Sequence, residues 1–237
     1  MIISRFIWCG ILLVFMVSAA NADGDLVAHQ NGKPPRVACT AEEPANEIAL
    51  GRSLVERRMQ SGHLHAAYAE VLSLPANQAD VALLRADILR RLGRDEAGAW
   101  YDALLKTCKV ADAHHGLGQL AASRNDWGRA IDEFKQAVIR APAEARFRND
   151  LGYALLRAGK NVEAEFELQV AHELNPESRL TSLNFMLLKM SVSDAVAVES
   201  LMSSLKPSRK EFDDLLRDCG MILSQRHGVE KNCQLDF

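Results

Sequence analysis

The chain has 237 residues, enough to bury a substantial core in one or two domains. Hydrophobic residues make up 48% and charged residues 25%, with aromatics at only 6% and few prolines or glycines (seven and fourteen), a balance that suits a helical protein better than an all-β one. The formal charge of −3 excludes a polybasic nucleic-acid surface.

The first segment has the layout of a secretory leader. Arg5 is followed by an apolar run from Phe6 to Val17, then small residues ending Ala20-Asn21-Ala22 before the acidic Asp23-Gly24-Asp25. Cleavage after Ala22 is expected, giving a signal peptide over 1–22. The apolar run is shorter than the ~20 residues of a spanning helix. Retention as an N-terminal anchor is the alternative, with the helix extended through Ser18 to Ala20. Cys9 follows Phe6-Ile7-Trp8, without the small residue or the preceding apolar run that lipid attachment requires.

Four cysteines follow the leader: Cys39, Cys108, Cys219 and Cys233. An even count in an exported chain permits two disulfides in three connectivities. Cys39 with Cys108 and Cys219 with Cys233 is the favoured pairing, since the latter closes a short C-terminal loop. Cys108 or Cys219 as a buried small hydrophobe is the competing reading. No C-x-x-C is present, so neither a thioredoxin-type site nor a four-cysteine zinc site is suggested.

Residues 23–43 are polar and broken by Asn31-Gly32 and Pro34-Pro35, which reads as a flexible arm. Only Val37-Ala38-Cys39 is suited to docking. Helices are expected over Glu47 to Met59 and Leu64 to Leu74, broken at Ser61-Gly62, then over Asp80 to Leu92 and Asp95 to Cys108, with Gly93 in the turn. Ser178 to Met190 and Ser193 to Leu205 form a later pair, and Pro207 ends it. Ser208 and Glu211 make a capping box ahead of Phe212, Leu215, Leu216, Cys219 and Leu223 on one helical face.

Between Ala111 and Pro176 one pattern occurs twice, offset by 34 residues: Leu117-Gly118 and Leu151-Gly152, Ala130 and Ala164, Phe134 and Leu168, Ala137 and Ala171, Pro142 and Pro176. A fixed period of this length marks stacked helical hairpins, each hiding one face against its neighbours. Gly118 and Gly152 are expected where a first helix crosses close to its own second helix, with Ala130 and Ala164 as the opposing small surface. Trp127 and Phe134 read as core. Pro142 and Pro176 end their units.

This pattern resembles the tetratricopeptide repeat (TPR) family. The resemblance implies an all-α, right-handed superhelix of four to five hairpins with a C-terminal capping helix. The array runs over 44–206, with clear repeats at about 78–110, 111–144 and 145–178, degenerate units at both ends, and the cap and tail over 207–237. It also implies a concave groove lined by the first helix of each hairpin. The family's groove positions fall on Asp80, Leu83, Asp87, Arg90 and Arg91 in the first clear repeat. They fall on Asp112, His115, Gln119, Ala122 and Ser123 in the second, and on Arg146, Asn149, Tyr153, Leu156 and Arg157 in the third. Of these, Arg90, Arg91, His115, Gln119, Arg146, Asn149, Tyr153 and Arg157 are the candidate partner-binding residues, suited to an extended peptide and an acidic group. Some members clamp a C-terminal carboxylate with cations at set positions; here Asp150 stands at one of them, which argues against that ligand.

No catalytic motif is found, and the histidine pairs His63/His65 and His114/His115 lack the i, i+4 spacing of metal ligands on one helix face. The expectation is a binding scaffold without enzyme activity, cofactor or metal, exported, and periplasmic if bacterial. A protein or peptide partner is expected in the groove, nucleic acid is not, and membrane contact would come only through a retained leader. Asn149-Asp150-Leu151-Gly152-Tyr153-Ala154-Leu155-Leu156, the Ala171-to-Pro176 segment and Asn184 further resemble pilus-assembly members of the TadD and PilF kind. That implies an assembly factor for a pilus or secretion apparatus. The alternative is an accessory subunit that recruits an envelope enzyme.

Overall fold

The computed structural model describes residues 33–39, 46–227 and 233. The leader, most of the arm and most of the C-terminal tail lie outside the described residues. Among the described residues the chain forms eleven α-helices and a single isolated bridge, parallel, between Ala38 and Gln78.

The helices pair in chain order. The hairpins are α1 (Asn46–Gln60) with α2 (Leu64–Val71), α3 (Ala79–Arg91) with α4 (Ala97–Leu104), and α5 (Val110–Ser123) with α6 (Trp127–Arg140). They continue as α7 (Ala145–Arg157) with α8 (Asn161–Leu174) and α9 (Arg179–Ser191) with α10 (Ala195–Leu205), and α11 (Arg209–His227) closes the series. Helix α4 is shorter than the Asp95-to-Cys108 span expected from sequence. Asp95 and Glu96 belong to the preceding turn, and at the far end Thr107 Oγ1 donates to the carbonyl of Leu104 at 2.7 Å, turning the chain toward Cys108.

The turn inside each hairpin depends on one residue in the left-handed region: Gly62, Gly93, Asn125, Gly159 and Ser193, with φ between 59° and 79°. There the chain reverses and donates back to the last helical carbonyls, as Arg94 N–H does to Leu89 and Lys160 N–H to Leu155, both at 2.9 Å. Glycine adopts this backbone without a Cβ clash and Asn tolerates it, whereas Ser193 has no such exemption. In the hairpins of α6 and α10 an aspartate then caps the second helix: Asp126 accepts from Arg129 N–H at 3.1 Å, and Asp194 from Ala197 N–H at 3.2 Å.

The repeated glycines are close-contact positions, as the sequence implied, but the surface they meet is different. A Cβ placed on Gly118 would lie 2.6 Å from the Phe134 ring. One on Gly152 would lie 2.6 Å from Leu168 Cγ and 3.2 Å from the Leu168 backbone nitrogen. Large side chains one turn beyond Ala130 and Ala164 fill the space, while those alanines are themselves fully buried. Gly152→Ala therefore meets backbone that cannot rotate away. We expect a net loss of about 1 kcal/mol in urea unfolding, because overpacking (~1–3 kcal/mol) exceeds the helix-propensity gain of alanine (~1 kcal/mol). A neutral or stabilised variant would refute the close-contact assignment.

Burial is continuous along the stack but sequential, as nearest-neighbour packing requires. Val55, Met59, Ala67 and Val71 pack with Val81 and Ile88. Ala82, Ala86, Leu89, Trp100, Tyr101 and Leu104 pack with Leu117. A larger cluster runs from Ala121 through Phe134, Leu151, Leu168 and Met186 to Leu215, Cys219 and Ile222 of α11. The capping box forms as expected: Ser208 N–H donates to the Glu211 carboxylate at 2.8 Å, and Glu211 N–H donates to Ser208 Oγ at 3.3 Å. Arg179 adds a two-pronged contact to Glu211 at 2.7 and 2.8 Å and reaches the Leu205 carbonyl. The Arg179 guanidinium, with Ser208, holds the Glu211 carboxyl well below the usual range.

The structure joins Cys39 to Cys108 and Cys219 to Cys233, with Cα–Cα distances of 6.0 and 5.8 Å. The second lies at the C-terminal end of the array. The first ties the arm to the end of α4, where Lys109 stands in place of the prolines that end the later units.

Candidate functional site

The first helices α5, α7 and α9 lie side by side, and a depression of about 470 Å³ opens across them, lined by His115, Gln119, Glu144, Arg146, Asn149, Asp150, Asn175, Ser178, Leu180 and Thr181 among others. Its floor is organised by Asp150. His115 Nε2 lies 2.8 Å from Asp150 Oδ2, Gln119 Nε2 donates to the same oxygen at 3.0 Å, and Asn149 Nδ2 donates to Oδ1 at 3.0 Å. Asn184 on α9 then donates to Asn149 Oδ1 at 3.0 Å. His115 also packs against the Phe147 and Phe134 rings at a tilt, with centroids 4.6 and 5.5 Å away. Burial alone would push the Asp150 carboxyl up. The His115 contact and charge, with the Gln119 and Asn149 amides, outweigh it and hold Asp150 below the usual carboxylate range.

His115 and Asn149 were expected to offer polar groups to a partner. The structure instead buries them, at 5% and 2% exposure, with those groups bonded inside the protein. They shape the groove floor. Asp150 appeared in the sequence as a departure from the carboxylate-clamp pattern and within a resembling phrase, and Asn184 as a further point of that resemblance, neither as a site residue. Here Asp150 is the centre of the network and Asn184 its continuation into the next unit. The signal was diagonal: His115 to Asp150 and Asn149 to Asn184 are each separated by 35 residues, one more than the repeat.

Arg146 is an exposed member of the set, at the groove rim. It pairs with Asp112, lies 3.5 Å from Glu144, and lays its guanidinium over Phe147 at 4.6 Å, with its side chain 55% exposed. Arg90 lies on α3, where its Nε donates to the Tyr101 hydroxyl at 3.2 Å while that hydroxyl donates to Asp87. Burial pushes the Asp87 carboxyl up, against the Tyr101 bond and the charges of Arg90, His115 and Arg146. Arg91 points elsewhere: it donates to the Met59 carbonyl at 3.0 Å and links the first two hairpins.

Tyr153 and Arg157 form a second cluster with Trp127. Arg157 sits 4.4 Å over the Trp127 ring and donates to the Tyr153 hydroxyl at 3.1 Å, with the Trp127 and Tyr153 rings edge to face at 6.1 Å. Trp127 is only partly buried, and its ring serves as the platform for Arg157 rather than as plain core.

Paired helices stacked in one direction, with a polar floor across their first helices, define a repeat scaffold with a ligand groove. The family model described as tetratricopeptide repeat matches residues 115–178. The TPR repeat-containing protein PA4299 of Pseudomonas aeruginosa is 41% identical over 172 residues, covering 73% of this chain and 70% of that protein. The chain belongs to the tetratricopeptide-repeat family. Among solved structures, Pseudomonas aeruginosa PilF is similar with a TM-score of 0.59 at 16% identity, over 76% of this chain and 92% of that one. A double mutant of MamA RS-1 is similar with a TM-score of 0.53 at 18% identity, over 73% and 97%. Both likenesses are of fold.

Proposed function

We propose that this chain is an exported scaffold whose groove across α5, α7 and α9 holds an extended segment of a pilus or secretion-channel subunit during assembly. The observation that carries the reading is the groove floor. A charged carboxylate, Asp150, is fixed by donors from two of the three helices, and Asn184 extends the network to the third, so the depression keeps its shape without a ligand. Ordering cost on binding is correspondingly small. Arg146, Glu144 and Leu180 at the rim offer charge and apolar contact to a segment laid over that floor. Export is supported by the leader layout of residues 1–22 and by four cysteines placed to pair as two links.

The test is site-specific photo-crosslinking in intact cells from Leu180, which is 61% exposed and lines the depression. The expected product contains a pilin or channel subunit, and a deletion strain should lose surface fibres. A product containing a cell-wall hydrolase or synthase, with fibres intact, would favour the accessory-subunit reading. Equal crosslinking from Ile139, exposed on α6 and not among the residues lining the depression, would refute the groove as the binding face.

A further inference from the structure

A second cavity, of about 730 Å³, runs along the arm, away from the groove. It is lined by the five consecutive residues Pro35 to Cys39 and, across from them, by Ala103, Lys106, Thr107 and Cys108 at the end of α4. At Ala38 the arm forms an isolated parallel bridge to Gln78, which uses one edge of the chain. Ala38 N–H donates to Asn77 at 2.9 Å, and Ala38 C=O accepts from Ala79 N–H at 3.0 Å. In an extended chain the N–H and C=O of the adjacent residue point the other way, so Val37, just before Ala38, presents its backbone on the outer edge. That edge bonds no described backbone group.

Two constraints hold the strand in place: the bridge to Gln78 and the Cys39–Cys108 cystine, whose Cys39 sulfur also accepts from Cys108 N–H at 2.7 Å. The cavity lining carries two cations, Arg36 and Lys106, and no acid, in a chain of net charge −3. Both cations are exposed and make no hydrogen bond or ion pair among the described residues. The next lysine along, Lys109, is already taken by Asp80 at 2.6 Å. A pinned strand with a free edge is a template for an added strand, and unpaired cations beside an apolar floor select what its side chains carry.

We propose that this cavity is a strand-addition site for an extended acidic peptide segment, which pairs its backbone with Val37 on the outer edge of the arm and sets carboxylates against Arg36 and Lys106. It is a second recognition site, independent of the groove proposed above.

The test uses the full oxidised chain and a fluorescein-labelled, N-acetylated hexapeptide of alternating valine and glutamate, followed by anisotropy. Saturable binding is expected. It should weaken at least tenfold with Arg36→Glu/Lys106→Glu, at least tenfold when alternate backbone nitrogens of the peptide are methylated, and be absent for the lysine-for-glutamate peptide. The groove variant Arg146→Glu should bind the peptide like the wild type. Absence of saturable binding, or binding indifferent to the two cation reversals or to methylation, overturns the proposal. Loss of binding in Arg146→Glu alone would assign the peptide to the groove and likewise overturn it.

Discussion

Asp150→Ala is expected to lower the unfolding free energy by about 3 kcal/mol at neutral pH, since it strips the shared acceptor from three donors, of which His115 and Asn149 are buried. His115, Gln119 and Asn149 all spend a bond on this carboxylate. Asp150→Asn should cost less, about 2 kcal/mol, because one amide oxygen still accepts while the new NH2 group faces other donors. The pH dependence separates this account from simple loss of packing. Asp150 has a folded-state pKa below its unfolded value, so its contribution is complete above about pH 4 and is lost as the pH falls through the lowered folded value. The gap between wild type and Asp150→Asn should therefore shrink as urea unfolding is repeated from pH 6 down to pH 3. Asp87 carries the opposite sign: its raised pKa adds stability at low pH that disappears as the pH rises through the folded value, in both proteins alike. A gap that stays constant across that range would mean the Asp150 charge contributes nothing. Peptide binding in the groove should fall with the same variants, since Asn149 and His115 lose the partner that positions them.

The packing residues were legible in the sequence because a stacked array repeats its packing problem every 34 residues. Gly118, Gly152, Phe134 and Leu168 could be placed from spacing alone, and so could the last helix from its capping box. The bonding inside the groove was not legible in the same way. Repeat position told which side chains share a helix face, but not which would be satisfied by a neighbour. His115 and Asn149 sit at groove positions and are nevertheless consumed by Asp150 and Asn184, because those bonds run from one unit to the next position of the following unit. Arg91 shows the converse: its place in the first clear repeat pointed to the groove, but the nearby end of α1 offers it the Met59 carbonyl instead. Residues that vary from unit to unit have no periodic signal, so their pairing becomes visible only once helices lie side by side.

Reduction of the two cystines should destabilise the ends of the array and leave its centre folded. The Cys39–Cys108 link closes 69 residues and Cys219–Cys233 closes 14. Chain entropy assigns them about 4 and about 3 kcal/mol respectively. In a globular domain such losses would spread over one cooperative transition. In a stack whose units contact only their neighbours, each loss falls on the units the link constrains. The end units most need the support: in the first hairpin α2 has only eight residues, and in the last Met186 occupies the close-contact position that glycine holds in the units before it. Native-state hydrogen exchange of Cys39→Ser/Cys108→Ser should thus show faster exchange over α1 to α4, with the bridge amides of Ala38 and Ala79 deprotected outright. Reduction of Cys219–Cys233 should act on α9 to α11, where Cys219 is fully buried against the core. Protection in α5 to α8, and with it the bond network around Asp150, should change little in either case. Uniform loss of protection across all units would show a single cooperative block and refute the terminal-staple account, and four reactive thiols in the unfolded, unreduced protein would show that neither link forms.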